Sequence, residues 1–359
     1  MAAQRYGKRK KRNTAAIVLV SLLFILVAVV MVILGYLVKN GRTIREFMEG
    51  SAFVPNSSEE AASPESTQSG GKTGSEDQTP VSNAEIGSDT QPASEEPAED
   101  VPEEERYYFE EGQLHRGDLI LVNADYPFSF ADNQVSDLVY IRGVKTVDYT
   151  LAKDDLMASR HAVSFLDIMI RDCTRAIGEE STGVTEAYRT YEYQEELYAE
   201  IEEEYGEEYA EEYVATPGYS EHHTGLAFDL GVYYGTYADS FTGSENAEWI
   251  DENAQYYGFV RRYKEEKTPV TGISNETWHY RYVGMPHSVV MELNDLCLEE
   301  YIERLRAYTQ HNPLKVTLSS AQYEVFYTAE DWIRIPEGTF TVSGNNVDGY
   351  IVTVRTDLT

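Results

Sequence analysis

From Glu46 to Glu105 the chain is rich in Ser, Pro, Gly, Thr and Glu and poor in aromatic residues. Such a stretch buries too little apolar surface to offset the entropy of ordering it. The bias confines any fold to the C-terminal side of this stretch: of 359 residues, foldable sequence begins near Arg106. Residues 39–105 are expected to form a disordered acidic linker. As a flexible coil of about 60 residues, its biased part would span roughly 40–45 Å, and charge repulsion would extend it further.

Ahead of the linker, residues 15–38 are apolar apart from Ser21, Gly35 and Tyr36. At ~1.5 Å per residue, a helix of this length reaches ~36 Å and spans the hydrocarbon core of a bilayer. The run is long for a signal peptide, and no small-x-small cleavage site follows it. Arg5, Lys8, Arg9, Lys10, Lys11 and Arg12 precede it, against Lys39, Arg42 and Arg45 after it. That bias puts the N-terminus inside. The expectation is an uncleaved signal-anchor in the cell membrane: a basic cytoplasmic tail (1–14), one transmembrane helix (15–38), and all later residues extracytoplasmic. Nine of the 29 Lys and Arg residues, and none of the 62 acids, precede Glu46. The remainder is therefore more acidic than the net charge of −33 implies. A surface so negative repels nucleic acid and anionic lipid, and neither is expected as its partner.

The foldable part mixes both periodicities. Leu119–Val122 and Val139–Ile141 read as strands, and 155–177 carries a helical apolar stripe through Leu166, Ile170, Cys173 and Ile177. A short strand over 184–188 precedes an acidic helical stretch, 192–214, interrupted near Gly206. Its glutamates read as a solvated face. From Gly225 to Val232 the alternation of Leu226, Phe228 and Leu230 with Ala227, Asp229 and Gly231 is period two, hence a strand. A helix over 249–257, strands at 259–260 and 279–283, and one long helix over 287–308 complete a domain of 106–312. Residues 313–359 hold four short β-rich runs, too few for a core of their own, and are expected to pack on that domain. The fold class is α+β: a small antiparallel β-sheet flanked by helices, with a C-terminal β appendage. Cys173 and Cys297 both fall on apolar stripes and read as buried thiols. An extracytoplasmic setting also permits a disulfide between them.

The chemistry concentrates in two segments, Ser220–Asp229 (SEHHTGLAFD) and Glu276–His279 (ETWH). Their three imidazoles, His222, His223 and His279, with Asp229 and Glu276 cover the inventory of a catalytic zinc site: two imidazoles, a carboxylate, one open position and a nearby base. His222 and Asp229 are too far apart along an extended strand, ~23 Å, to share a metal. A bend at Thr224-Gly225 would place His222 in the loop entering the strand. Glu276 and His279 are close enough to serve one centre from a turn or strand start. His115, His161, His287 and His311 sit in ordinary loop or helix contexts and read as structural or solvent-facing.

These segments resemble the VanY-type D-alanyl-D-alanine carboxypeptidases, within the zinc peptidases that include lysostaphin-like and hedgehog-like folds. The signature S-x-H-x-x-G-x-A-x-D is met at every fixed position by SEHHTGLAFD. E-x-W-H, usually EPWHFRYVG, is ETWHYRYVG here, and an SGYRSYxxQ-like segment appears as EAYRTYEYQ (186–194). The resemblance covers roughly 110–310. It implies zinc held by His222, Asp229 and His279, with Glu276 as catalytic base. It further implies Arg189 on the substrate carbonyl or its oxyanion, and Ser220 and Gln194 near the terminal carboxylate. Motif register makes His222 the ligand and His223 a neighbour at the pocket rim. Thr277 replaces the usual Pro, Tyr280 the Phe and Ala187 the Gly, and none of these changes removes a functional group. Zinc would acidify a water whose proton Glu276 accepts, and zinc and Arg189 would stabilise the oxyanion. The implied activity is removal of the terminal D-Ala from peptidoglycan stem peptides, the implied partner. A D,D-dipeptidase, L,D-carboxypeptidase or endopeptidase could use the same residues. A non-enzymatic wall-binding protein is disfavoured because every catalytic group is present.

Overall fold

A computed structural model of the chain describes residues 85–86, 101–132, 137–179, 181–235 and 237–357. Among these residues no helix is long and apolar enough to cross a membrane. The apolar run 15–38 lies outside them, as does most of 39–105.

A six-stranded sheet carries the middle of the chain. Its strands are β1 (Thr150–Leu151), β2 (Thr182–Glu186), β3 (Ala227–Tyr234), β4 (Tyr237–Asp239), β5 (Phe259–Tyr263) and β6 (Glu276–Tyr282). The order is β1-β2-β3-β6-β5, with β4 hairpinned to β3. All pairs are antiparallel except β1 with β2, a departure from the fully antiparallel sheet expected. Helix α1 (Arg160–Ile177) lies on one face, capped by the Ser159 side chain and ended by Gly178 at φ 84°. Its buried stripe of Leu166, Met169, Ile170 and Cys173 meets Phe228, Leu230, Val232 and Tyr280 from the sheet. The period-two pattern of β3 thus spends one face on the core and leaves Asp229 on the other.

The acidic stretch forms α2 (Tyr191–Tyr205) and α3 (Glu207–Tyr213), separated by Gly206 at φ 96°. Helix α4 (Glu245–Asn253) precedes a 3-10 turn, Ala254–Tyr257. The single helix expected over 287–308 is two, α5 (His287–Leu293) and α6 (Leu298–Leu305). The apolar stripe runs through the break. Asp295, however, sits at φ 50°, and Glu300 accepts a hydrogen bond from the Cys297 backbone, starting a new helix.

The last strands are β7 (Leu314–Leu318), β8 (Ala321–Thr328), β9 (Thr339–Gly344) and β10 (Tyr350–Arg355). They form an antiparallel sheet in the order β7-β8-β10-β9, with Glu85–Ile86 paired outside β7. Two residues of the expected linker are therefore strand, and Glu103–Glu105 form a 3-10 turn, so ordered structure starts before Arg106. Leu314, Val316, Leu318, Val325 and Ile351 share one apolar cluster with Val289, Val290, Leu298, Tyr301 and Leu305, so this sheet completes the core begun by α5 and α6.

Leu119–Val122, expected as a strand, is buried but pairs with none. Leu119 N–H donates to Ser343 Oγ and Leu121 N–H to the Asn345 carbonyl, so the segment's backbone is satisfied without a ladder. Both cysteines are buried free thiols, and the disulfide is not formed.

Candidate metal centre

His222 lies in a 3-10 turn, Glu221–Thr224, closed by Gly225 at φ 70° before β3 begins. This is the bend that the spacing to Asp229 required. Ser220 caps the turn, its Oγ accepting from His222 N–H at 3.3 Å. In register, Asp229 on β3 sits directly opposite His279 on β6. Residues three apart on a regular strand face opposite sides. A register shift between Glu276 and Tyr280 bulges β6, and Glu276 and His279 come to the same side. Glu276 Oε2 lies 3.6 Å from His279 Nδ1.

One potential ligand atom from each of His222, Asp229 and His279 lies within 4.8 Å of the other two, and among the described residues these three are the group that could hold a metal ion. Nitrogen and carboxylate donors with no thiol suit zinc. The outer hydrogen bonds fix which atoms face inward. His222 Nδ1–H donates to the Ala187 carbonyl at 2.5 Å, which leaves Nε2, 3.5 Å from Asp229 Oδ2, as a lone pair. His279 turns Nδ1 towards Asp229 Oδ1 at 3.0 Å and Nε2 away from it, towards Glu221. Arg189, in the loop between β2 and α2, donates from Nη2 to Asp229 Oδ2 at 3.0 Å.

The electrostatics are those of a cation site. Burial pushes Glu276 up to about 7; the Asp229 charge adds to this and His279 opposes it. Burial and the Arg189 charge lower His222 to about 4. Burial would lower His279 too, but the hydrogen bond to Asp229 and the facing Glu221 carboxylate raise it to about 9. Asp229 is held well below the usual carboxylate range: burial opposes this, but both imidazoles outweigh it.

The cleft over these groups measures about 190 Å³ and is walled by Leu197, Ile201, Val214, Ala215 and Ile273, with Trp278 and Tyr263 beside the carboxylates. Ser274 joins its two sides, N–H to the Glu212 carbonyl at 3.1 Å and Oγ to Glu212 Oε1 at 2.6 Å. A larger groove of about 900 Å³ on the C-terminal sheet has no metal-capable group among its described residues.

Ser220 lines the cleft, though its Oγ serves the turn. Gln194 is fully buried. Its Nε2 donates to the Ala215 carbonyl at 2.8 Å and its Oε1 accepts from Arg189 at 3.5 Å, so it stands behind Arg189. His223 is also fully buried, not at a rim. It accepts from Gly218 N–H at 3.1 Å and donates to the Arg189 carbonyl at 2.8 Å, bracing the arginine's backbone. Sequence reasoning missed Glu221 and Tyr263. The signal for Glu221 was Arg262 and Arg281, two arginines inside strands, since a buried guanidinium calls for an acid.

The family model for VanY, D-alanyl-D-alanine carboxypeptidase, matches residues 157–285, a span that holds every candidate site residue. A D-alanyl-D-alanine carboxypeptidase of Enterococcus faecium is 35% identical over 254 residues, 68% of this chain and 77% of its own. A bifunctional D-Ala-D-Ala dipeptidase and D-Ala-D-Ala carboxypeptidase, VanXYC of Enterococcus gallinarum, is 40% identical over 136 residues, 36% of this chain and 72% of its own. Among solved structures, the vancomycin-resistance D,D-dipeptidase VanXYg in complex with a D-Ala-D-Ala phosphinate analogue is similar at TM-score 0.63 and 33% identity, over 70% of this chain and 98% of that one.

Proposed function

Because this chain belongs to the VanY family of D-alanyl-D-alanine carboxypeptidases, we propose that it is a zinc peptidase that removes the terminal D-Ala from peptidoglycan stem peptides. The observation that carries the reading is the meeting of His222, Asp229 and His279, from segments fifty residues apart, beside a free carboxylate. Those three residues would hold zinc, which when bound polarises a carbonyl and acidifies water. Glu276, with a pKa near 7, is suited to take the proton of the attacking water and hand it to the leaving amine. Arg189 presents a guanidinium to the oxyanion that develops on the scissile carbonyl. Asp229, Gln194 and the His223-braced backbone hold it in place. The aliphatic wall of Leu197, Val214, Ala215 and Ile273 fits an alanine methyl, and the Glu212–Ser274 link limits the room beyond it.

The test is release of D-Ala from a purified stem pentapeptide, abolished by chelation and restored by Zn(II). Release that persists after full chelation would end the zinc reading. The similarity to VanXYg and to the bifunctional VanXYC favours a second activity, cleavage of free D-Ala-D-Ala. Mass spectrometry of both digests separates the two. We also propose that residues 15–38 anchor the chain with its peptidase outside, on the strength of the apolar run and its flanking bases. Protease digestion of intact cells would remove the peptidase if so and spare it if not.

A further inference from the structure

Glu221 lies between Ser220 and His222, and it is 1% exposed. A carboxylate so buried is held only by strong compensation. Its Oε1 accepts from Arg262 Nε at 2.9 Å and Arg281 Nη1 at 3.0 Å. Its other oxygen, Oε2, makes no hydrogen bond of ordinary geometry, and neither does His279 Nε2. These two atoms face each other at 3.5 Å.

An imidazole that offers Nδ1 to a metal carries its proton on Nε2. Buried, that proton needs an acceptor, and Glu221 is the one facing it. We propose that Glu221 is a positioning residue for the metal. It accepts the His279 Nε2–H and so fixes the tautomer that points the Nδ1 lone pair at the point shared with His222 and Asp229. The proposal rests on the zinc reading above. The carboxylate is aimed from a distance. Arg262 Nη2 donates to Glu299 Oε1 on α6 at 2.6 Å, and Asn123 Nδ2 donates to the same oxygen at 3.0 Å. Arg281 Nη2 donates to the carbonyls of Asp118 and Ile120 at 2.9 and 3.1 Å. The buried segment around Leu119–Val122 thus sets an arginine, which sets a glutamate, which sets the metal-facing imidazole.

Glu221→Gln makes the test sharp, because arginine can only donate. The two guanidiniums will hold the amide oxygen and turn its NH2 towards His279 Nε2. That nitrogen must then accept, and the ring proton moves to Nδ1, into the metal's place. The Zn(II) affinity of the full chain, measured by competition with a chromophoric chelator, should fall ~10–100-fold. Asp167→Asn, at a buried carboxylate on α1 that accepts from Thr146 and Tyr149 and takes no part in this chain of contacts, should lower the melting temperature and leave Zn(II) affinity within about twofold, well short of that loss. In the unsubstituted zinc-loaded protein, ¹⁵N NMR should find His279 protonated at Nε2, a readout that needs no variant to fold. Unchanged affinity in Glu221→Gln, an equal loss in Asp167→Asn, or a proton on Nδ1 would overturn the assignment. Failure of the parent chain itself to bind Zn(II) would instead overturn the zinc reading and this one with it.

Discussion

The two sheets are built of the same material and put to opposite uses. Both are mainly antiparallel, and both alternate apolar and polar residues. In the first sheet, one face meets α1 while the other gathers Asp229, Glu276 and His279, with Glu221, Arg262 and Arg281 buried beside them. The buried polar groups of the C-terminal sheet and its turn are neutral: Ser343, Asn345, Asn346 and Thr353. Charges removed from water seldom return their desolvation cost. The first sheet therefore bears that cost for chemistry, while the second, sharing its core with α5 and α6, supplies stability. The second also serves the first, since Ser343 and Asn345 hold the segment whose carbonyls fix Arg281.

The sharpest way to break this contrast is to remove charges from the first sheet. Glu276→Gln should lower kcat for D-Ala release ~10²–10⁴-fold. The melting temperature should hold or rise, because a buried carboxylate has been neutralised. A variant that unfolds would show that the site stabilises the fold and that the division of labour is wrong. Arg189→Ala should cost somewhat less, ~10²–10³ in kcat, by loss of a donor to the oxyanion. It also leaves Asp229 without its guanidinium partner, so its metal content must be measured beside its rate.

The same contrast explains what was legible in the sequence. The three residues of the candidate metal group were readable because each sits at a fixed spacing in a short segment, and the bend at Gly225 came from chain geometry alone. Burial of individual polar groups was not readable. Adjacent His222 and His223 differ in sequence only by motif register, yet both are buried, one in the candidate metal group and the other spanning Gly218 and Arg189. Glu221 went unassigned because its partners lie 41 and 60 residues away. Leu119–Val122 has the apolar run of a strand, but its hydrogen bonds go to residues more than 160 positions later. In the helices, the stripe that joins α5 to α6 concealed the turn at Asp295. Local pattern specifies faces and spacings, whereas long-range partners decide which charges are taken inside.

In the second sheet's core the expected losses are of stability. Leu305 on α6 is fully buried in the cluster with Leu314, Val316 and Ile351. Leu305→Ala should cost about 2–5 kcal/mol by lost burial and the cavity left behind. Turnover per folded molecule should stay at the parent's value. Chemical denaturation and an activity titration on the same samples would show both. Loss of turnover at full folding would mean that the C-terminal core positions the site more directly than the Arg281 contacts imply.

The smallest effect concerns the second sheet's one departure from plain packing, the buried His287. Its Nδ1 faces Tyr301 Oη at 2.8 Å and its Nε2 faces Thr353 Oγ1 at 2.9 Å, tying α5 to α6 and β10. Burial pushes its pKa from 6.5 down to about 3. Between those values the unfolded chain binds a proton that the folded chain refuses, so stability rises with pH. His287 therefore adds no pH dependence above 6.5, and its contribution is lost progressively as the pH falls towards 3. The full slope is about 1.4 kcal/mol per pH unit. His287→Gln keeps a polar group there and removes the titration. Urea denaturation of both proteins at several pH values should give curves that diverge in this window. The carboxylates common to both cancel in the difference. Parallel curves would mean that the imidazole is charged or hydrated in the fold, and the second sheet would then carry a buried charge like the first.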